Sequence, residues 1–276
     1  MDYTKRWVRI TGWVLLGLVT LFFVQDAYNM GTRSEAATKN IADGFGFPHW
    51  QMTVIAITLA VCFVLYLVPR TSRLGLVLLT GYLGGAAGMN LARSPELGDA
   101  VFGFVFTAAI GVLAWAPQWI RDPWVRGVVG HPQAHTMSKA KRWTGRGLTF
   151  ALAAFLLFDV VIHLVKEQHA VASANEYGMD PARLPIIGAI ELVVLLLYLT
   201  PRTSRFGAVL YTAYMGGASA FNFTTEQPLF NVVFAPVMAG FLWLAVALRD
   251  PWVWDMFRGP SKTTASAQSG MPAAEA

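Results

Sequence analysis

The chain has 276 residues, of which 55% are hydrophobic and 13% charged, where an ordinary soluble domain carries about 25% charged residues. That much apolar side chain, with 10 Trp and 18 Phe, exceeds what one soluble core of this length encloses, and lipid is the alternative solvent. The net charge of +5 does not mark nucleic-acid binding, because the basic residues sit at the ends of apolar runs, and the single cysteine, Cys62, excludes an intrachain disulfide, a Cys-x-x-Cys redox pair and a thiolate cluster.

Eight apolar runs are long enough, or nearly so, to cross a hydrocarbon core, which takes about 20 helical residues. The first, near residues 10–30, follows Lys5, Arg6 and Arg9. It lacks a small-x-small cleavage pattern and runs into Asp26, so it is expected to be a retained helix rather than a signal peptide. Three more runs lie near 50–68, 74–92 and 101–120. The basic stretch from Arg121 to Arg146 reads as a cytoplasmic joint. It holds His131 and His135, but two histidines without further ligands make no metal site. Four further runs follow near 147–165, 184–200, 206–223 and 229–248, and the tail from Pro260 is small, polar and unpatterned, the composition of a disordered end. The expected fold class is all-α: a polytopic membrane protein of eight transmembrane helices.

The run "YLVPRTSRLGLVLLTGYLGGAAGMN" at 66–90 is nearly repeated as "YLTPRTSRFGAVLYTAYMGGASAFN" at 198–222. "RDPWV" occurs at 121–125 and again at 249–253, and Asp26 and Asp159 fall at matching points in the first run of each half. The chain therefore reads as a tandem duplication: a four-helix unit over 1–130, a basic linker over 131–146, a second unit over 147–259 and a tail over 260–276. An even number of spans per unit gives both copies the same orientation, so two parallel four-helix bundles are expected. With the N-terminus placed in the cytoplasm, 16 of the 21 Lys and Arg fall on the cytoplasmic side and 5 on the other. By the positive-inside rule this puts the protein in the cytoplasmic (inner) membrane with both termini in the cytoplasm.

The repeated motif reads as mechanics. Pro69 and Pro201 stop a span. Thr71, Ser72, Thr203 and Ser204 are expected to cap the next helix start, and Arg70, Arg73, Arg202 and Arg205 to anchor that corner at lipid headgroups. Gly81 with Gly85, and Gly84 with Gly88, have the spacing of close helix packing in lipid, kept in the second copy by Ala213, Gly216, Gly217 and Ala220. In "RDPW" the Asp is a cap, the Pro suits a first helical turn and the Trp suits the membrane interface, so each copy is expected to begin a short amphipathic surface helix.

These features make the second half resemble the DoxX-like family of bacterial four-helix membrane proteins. The residues that carry the resemblance are "FDVVIHL" (158–164), "GAIEL" (188–192), "YLTPRTSRFGAVLYTAYMGGASA" (198–220) and "LRDPW" (248–252). The first half matches over its later three spans and only weakly over its first. The resemblance implies that the family's first-span His is His163, with Met30 as its counterpart, and that the family's Glu is Glu191, with Leu59 as its counterpart. Where the family shows His and then Arg after Gly-Gly-Ala, this chain has Asn90 in one half and Asn222 and Thr224 in the other. The second half therefore keeps most of the family's polar positions. DoxX-named relatives are associated with respiratory quinone chemistry and membrane oxidoreductase complexes, and the resemblance implies the same class of partner.

Carboxylates within a bilayer cost about 2.5–3.5 kcal/mol each on insertion scales and mark functional positions by default. Asp26, Asp159 and Glu191 are such residues. Asp159, His163 one helical turn later, Glu191 and Asn222 are expected to converge in the outer half of the second unit. The ligand-binding candidates are thus Asp159, His163, Glu191, Asn222, Asp26 and Asn90, and no metal site is expected. His163 is the single intramembrane histidine, too few for a typical haem, and no nucleotide loop or nucleophile elbow is present. The reading is a non-catalytic membrane partner of a redox system, in contact with lipid and an oxidoreductase and not with nucleic acid. It brings no redox cofactor of its own, and a quinone or similar lipid-soluble molecule is the ligand class. The alternatives are a small-solute or proton-coupled transporter and a purely structural scaffold.

Overall fold

The computed structural model describes residues 6–129 and 137–258. His131, His135 and the tail from Pro260 lie outside the described residues. Among those described, every regular element is helical. In chain order they are α1 (Arg6–Gly31), α2 (Glu35–Ala37) running into a π-helical turn (Thr38–Asp43), α3 (His49–Leu67), α4 (Ser72–Arg93), α5 (Leu97–Arg121) and the one-turn α6 (Pro123–Arg126). The second half contributes α7 (Lys139–Leu164), α8 (Gln168–Glu176), a 3₁₀ turn (Pro181–Arg183), α9 (Leu184–Leu199), α10 (Ser204–Thr224), α11 (Leu229–Ala247), a 3₁₀ turn (Pro251–Val253) and α12 (Asp255–Arg258).

Among the described residues, seven helices are long and apolar enough to cross a membrane: α1, α3, α4, α5, α7, α9 with its preceding 3₁₀ turn, and α11. Their outward faces are greasy; Phe102, Phe150, Phe158 and Phe230 are all exposed, the inverse of a soluble surface. Eight crossing helices were expected. The difference is α10, which has the length, 21 residues, and lacks the apolarity. Its Tyr211, Thr212, Tyr214, Ser219 and Asn222 face other helices, and a helix enclosed by protein need not dissolve in lipid. A second difference is the start of α7, eight residues earlier than the apolar run that begins at 147. Ser138 accepts the Lys141 N–H and extends the helix through the basic residues expected in the linker.

Helix α4 packs on α3, α5 and most extensively α10; α10 packs on α9, α11 and α4; α1 packs on α3 and α5, and α7 on α9 and α11. The repeated glycines decide the central contact. A Cβ on Gly84 would land on the Ala213 carbonyl, and one on Gly216 on the Gly81 carbonyl. One on Gly88 would come within 2.7 Å of Gly217 Cα, and one on Gly85 within 3.2 Å of Ala220 Cβ. Residue numbers rise together along both helices, so α4 and α10 run parallel. The pairing is reciprocal: each position of one motif copy meets the other copy's partner position, as at a two-fold interface. The small-residue spacing thus forms the expected close approach of two backbones.

The same side-chain-to-backbone bonds recur in both halves. Tyr66 donates to the Ala114 carbonyl at 2.9 Å and Tyr198 to that of Leu242 at 3.2 Å. Trp115 donates to Thr80 Oγ1 at 2.9 Å and Trp243 to Thr212 Oγ1 at 2.8 Å. Thr71 and Thr203 do not cap the following helix as expected. Val68 and Thr200, each before a proline, are extended, and the threonine hydroxyls turn back to donate to the Leu65 and Leu197 carbonyls at 2.9 and 2.7 Å. They close the end of the helix behind them.

Two of the motif arginines are also placed otherwise than expected. Arg73 and Arg205 are 7% and 5% exposed and point inward. Arg73 binds the Asp122 carboxylate with Nε and Nη2 at 2.7 and 3.0 Å, and its Nη1 donates to the Asp255 carbonyl in the other half at 2.6 Å. Arg205 binds Asp250 at 2.6 and 3.0 Å and the Gly127 carbonyl at 2.6 Å. Asp122 and Asp250 also cap their turns as expected, accepting the Trp124 and Trp252 N–H. The two tryptophans are not at a lipid interface: they stack face to face with centroids 4.2 Å apart. Each ring N–H donates to the other's backbone carbonyl, at 2.8 and 3.0 Å. A Trp in "RDPW" suits a membrane surface by its chemistry alone; here its partner is the same residue of the other repeat.

Two outcomes follow. Gly84→Val should lower stability by about 1–3 kcal/mol or more through overpacking, read as a lower thermal midpoint in detergent. Gly17→Val, where a Cβ meets nothing within 4 Å, should leave the midpoint unchanged. Arg205→Met leaves Asp250, 1% exposed, as an unpaired buried charge and should cost about 3–5 kcal/mol; adding Asp250→Asn should recover much of it.

Candidate functional site

Helices α7, α9 and α10 bring the polar residues together. Asp159 and His163 are one turn apart on α7, and His163 sits in its last turn. Asp159 therefore lies about 8 Å from the helix end at 1.5 Å per residue. Glu191 projects from α9 and is 0% exposed. A Cβ on Gly188, one turn before Glu191, would press on His163 Cβ at 2.9 Å, so the glycine of "GAIEL" lets α7 and α9 approach where the site is built. His163 Nδ1 lies 3.6 Å from Asp159 Oδ2 and 3.8 Å from Glu191 Oε2. Those separations exceed hydrogen-bond length. Among the described residues, His163 Nδ1 and Glu191 Oε1 are buried without a hydrogen-bond partner.

Glu191 Oε2 accepts a hydrogen bond from the Tyr214 hydroxyl of α10 at 2.9 Å. Tyr214 is not among the residues the sequence singles out, because it lies inside the doubled stretch, whose small residues read as packing. The signal was a tyrosine at the same place in both copies, "TGY" and "TAY". Among the described residues, the hydroxyl of the first-half equivalent, Tyr82, bonds the Met30 sulfur, at 3.8 Å. Tyr211, one turn earlier on α10, packs edge-on against Tyr214, and its buried hydroxyl is also without a partner.

Asp159, His163 and Tyr214 line a cavity of about 820 Å³ that runs between the halves. Its other walls are largely apolar: Leu83, Phe104, Trp115, Phe155, Leu210 and Phe221 among them. Asn222 also lines it, and its amide donates to the Asn231 carbonyl of α11 at 3.1 Å. Asp26 and Asn90 are not brought here. Asp26 is half-buried on α1; Asn90 donates to the Ala86 carbonyl and lies against Gly103 of α5. With Met30 and Leu59 buried in place of His163 and Glu191, the first half has the scaffold of the cluster without its chemistry.

Tyr214→Phe should lower stability by about 1–3 kcal/mol, because it strips a hydrogen bond from a buried carboxylate. Tyr82→Phe, which gives up only a sulfur contact, should cost clearly less in the same thermal-melt assay.

The model of the DoxX-like family matches the chain twice, over residues 14–117 and 147–247. No curated protein and no solved structure matches the chain.

Proposed function

The chain belongs to the DoxX-like family, and from that premise we propose that it is a non-catalytic membrane partner of a redox system which binds a quinone or a similar lipid-soluble molecule. The observation that carries this is a cavity of about 820 Å³ whose walls are mostly apolar and which a few polar side chains line, Asp159 and His163 among them. Ligand pockets of about 300–1,000 Å³ combine mostly apolar lining with a few convergent polar groups. An isoprenoid-like tail would lie along Phe104, Phe155 and Leu210, and a carbonyl or hydroxyl head would meet His163 and Asp159. His163 Nδ1 is suited to the head because it lacks a protein partner, and a buried polar atom in that condition gains most from a ligand that bonds it. The family's association with quinone chemistry points the same way.

In this reading the protein has eight spans, α10 included, arranged as two parallel four-helix units over 1–130 and 147–259 of the cytoplasmic membrane. The 16-to-5 distribution of Lys and Arg supports cytoplasmic placement of both ends. The cluster then opens toward the outer leaflet.

Protein purified in mild detergent and extracted with organic solvent should yield a quinone-class molecule at near one per chain by mass spectrometry. His163→Ala should retain at least tenfold less with the same elution profile. Wild-type extracts holding only phospholipid would overturn the reading. A second reading, proton-coupled transport, is favoured by one observation: Glu191 is fully enclosed while Asp159, across His163 from it, has 39% of its side chain exposed, a graded route for a proton. It predicts a pH-dependent flux in liposomes that Asp159→Asn abolishes, and a flux indifferent to that change would remove it.

A further inference from the structure

The geometry points to a divalent transition-metal site, of the zinc type, formed by Asp159, His163 and Glu191. One ligand atom from each lies within 4.8 Å of the others. The separations are the first argument. His163 Nδ1 stands 3.6 Å from Asp159 Oδ2 and 3.8 Å from Glu191 Oε2, too far to share a proton in a good hydrogen bond. Donor atoms bound at about 2.0–2.2 Å on a tetrahedral ion stand about 3.4 Å apart, so the two histidine-to-carboxylate separations need to close by only a few tenths of an ångström, and the two carboxylate oxygens already lie within 4.8 Å of each other.

The orphaned atoms are the second argument. Glu191 is 0% exposed, yet its Oε1 has no partner, and His163 Nδ1 has none either. A buried donor or acceptor left unmade costs roughly 1–3 kcal/mol; a metal ion gives His163 Nδ1 its partner directly, and satisfies Glu191 Oε1 where the carboxylate turns that oxygen to the ion and leaves Oε2 on Tyr214. Charge is the third. Among the described residues, the ion-pair contacts of Asp159 and Glu191 are with His163 alone. Two carboxylates within a membrane protein call for a compensating positive charge, and a divalent ion bound by two carboxylates and a neutral imidazole leaves no net charge.

The surroundings fit a metal centre. Tyr214 donates to Glu191 Oε2 at 2.9 Å, the outer hydrogen bond that orients a ligating carboxylate. Three protein ligands leave a fourth position open, the pattern of reactive rather than structural zinc sites. Asp159, His163 and Tyr214 line the cavity, so that position faces it. A mixed imidazole and carboxylate set suits zinc, iron or manganese over copper(I) or calcium. Metal binding stands without the lipid-soluble ligand. Only the further step, that the ligand's head oxygen completes the tetrahedron, rests on the reading above.

The test uses the full chain in detergent, free of affinity-tag histidines and stripped with chelator, titrated with cobalt(II) as the spectroscopic probe. The expected result is a saturable rise in the strong visible absorption of tetrahedral cobalt, at one ion per chain, reversed by zinc. His163→Ala should abolish it. Tyr214→Phe, which keeps all three ligands, should weaken cobalt binding about 10–100-fold, and it decides the matter should His163→Ala not fold. His49→Ala, which alters an exposed histidine paired with Asp43 at 2.8 Å, should change nothing. Wild-type protein that gives no saturable cobalt absorption, or a folded His163→Ala protein that titrates as wild type does, would overturn the proposal. The solvent extract is measured on separate wild-type protein, so absence of quinone and absence of metal are independent results.

Discussion

Everything else in the molecule is arranged around the contact of two backbones along α4 and α10. In lipid there is no hydrophobic force between helices, because the tails are as apolar as leucine, and association has to come from close packing and hydrogen bonds. Glycine and alanine supply that packing: Gly84 meets the Ala213 carbonyl and Gly216 the Gly81 carbonyl with no room for a side chain. Once these two helices are joined, each has one remaining side for its own half. The polar residues of α10 then lie among other helices, and that enclosure is what allows a span-length helix to carry Tyr211, Tyr214 and Asn222.

The end of the bundle that carries the two RDPW motifs repeats the logic with stronger bonds. Arg73 and Arg205 each grip an aspartate of their own half and a carbonyl of the other. A guanidinium has enough donors in a fixed fork to do both, and a lysine would not. The stacked Trp124 and Trp252 exchange ring-to-backbone bonds between the halves. The packed axis and the latch are therefore symmetric, whereas the cluster of Asp159, His163 and Glu191 is not. Met30 and Leu59 fill one copy where His163 and Glu191 occupy the other. Divergence there leaves the reciprocal α4–α10 contact intact, since none of those four residues belongs to it.

Much of this was legible in the sequence. The doubled stretch gave the two matching halves, the small-residue spacing marked a close backbone approach without naming its partner helix, and Asp159 and His163 share a face as their one-turn spacing suggested, with Glu191 beside them. What was not legible had one cause. Sequence patterns say how a residue behaves toward lipid or water and not which helix stands opposite. Arg73 and Arg205 looked like headgroup anchors, Trp124 and Trp252 like interface residues, and Tyr214 like packing. Each acquires its role only from a partner far along the chain: Asp122 or Asp250 for the arginines, the other repeat for the tryptophans, Glu191 for the tyrosine. α10 shows the same limit, since its modest apolarity makes sense only once its neighbours are known.

The approach of α4 to α10 is open to direct chemical measurement. A Cβ at Gly85 would stand 3.2 Å from that of Ala220, a few tenths of an ångström inside the range of about 3.5–4.5 Å for a disulfide, which a slight separation of the helices reaches. With the lone cysteine removed by Cys62→Ser, the pair Gly85→Cys and Ala220→Cys should oxidise rapidly in membranes to an intrachain disulfide, detected as a linked species after cleavage between the halves. A membrane-inserted double variant that stays reduced, or links only between chains, would contradict the account.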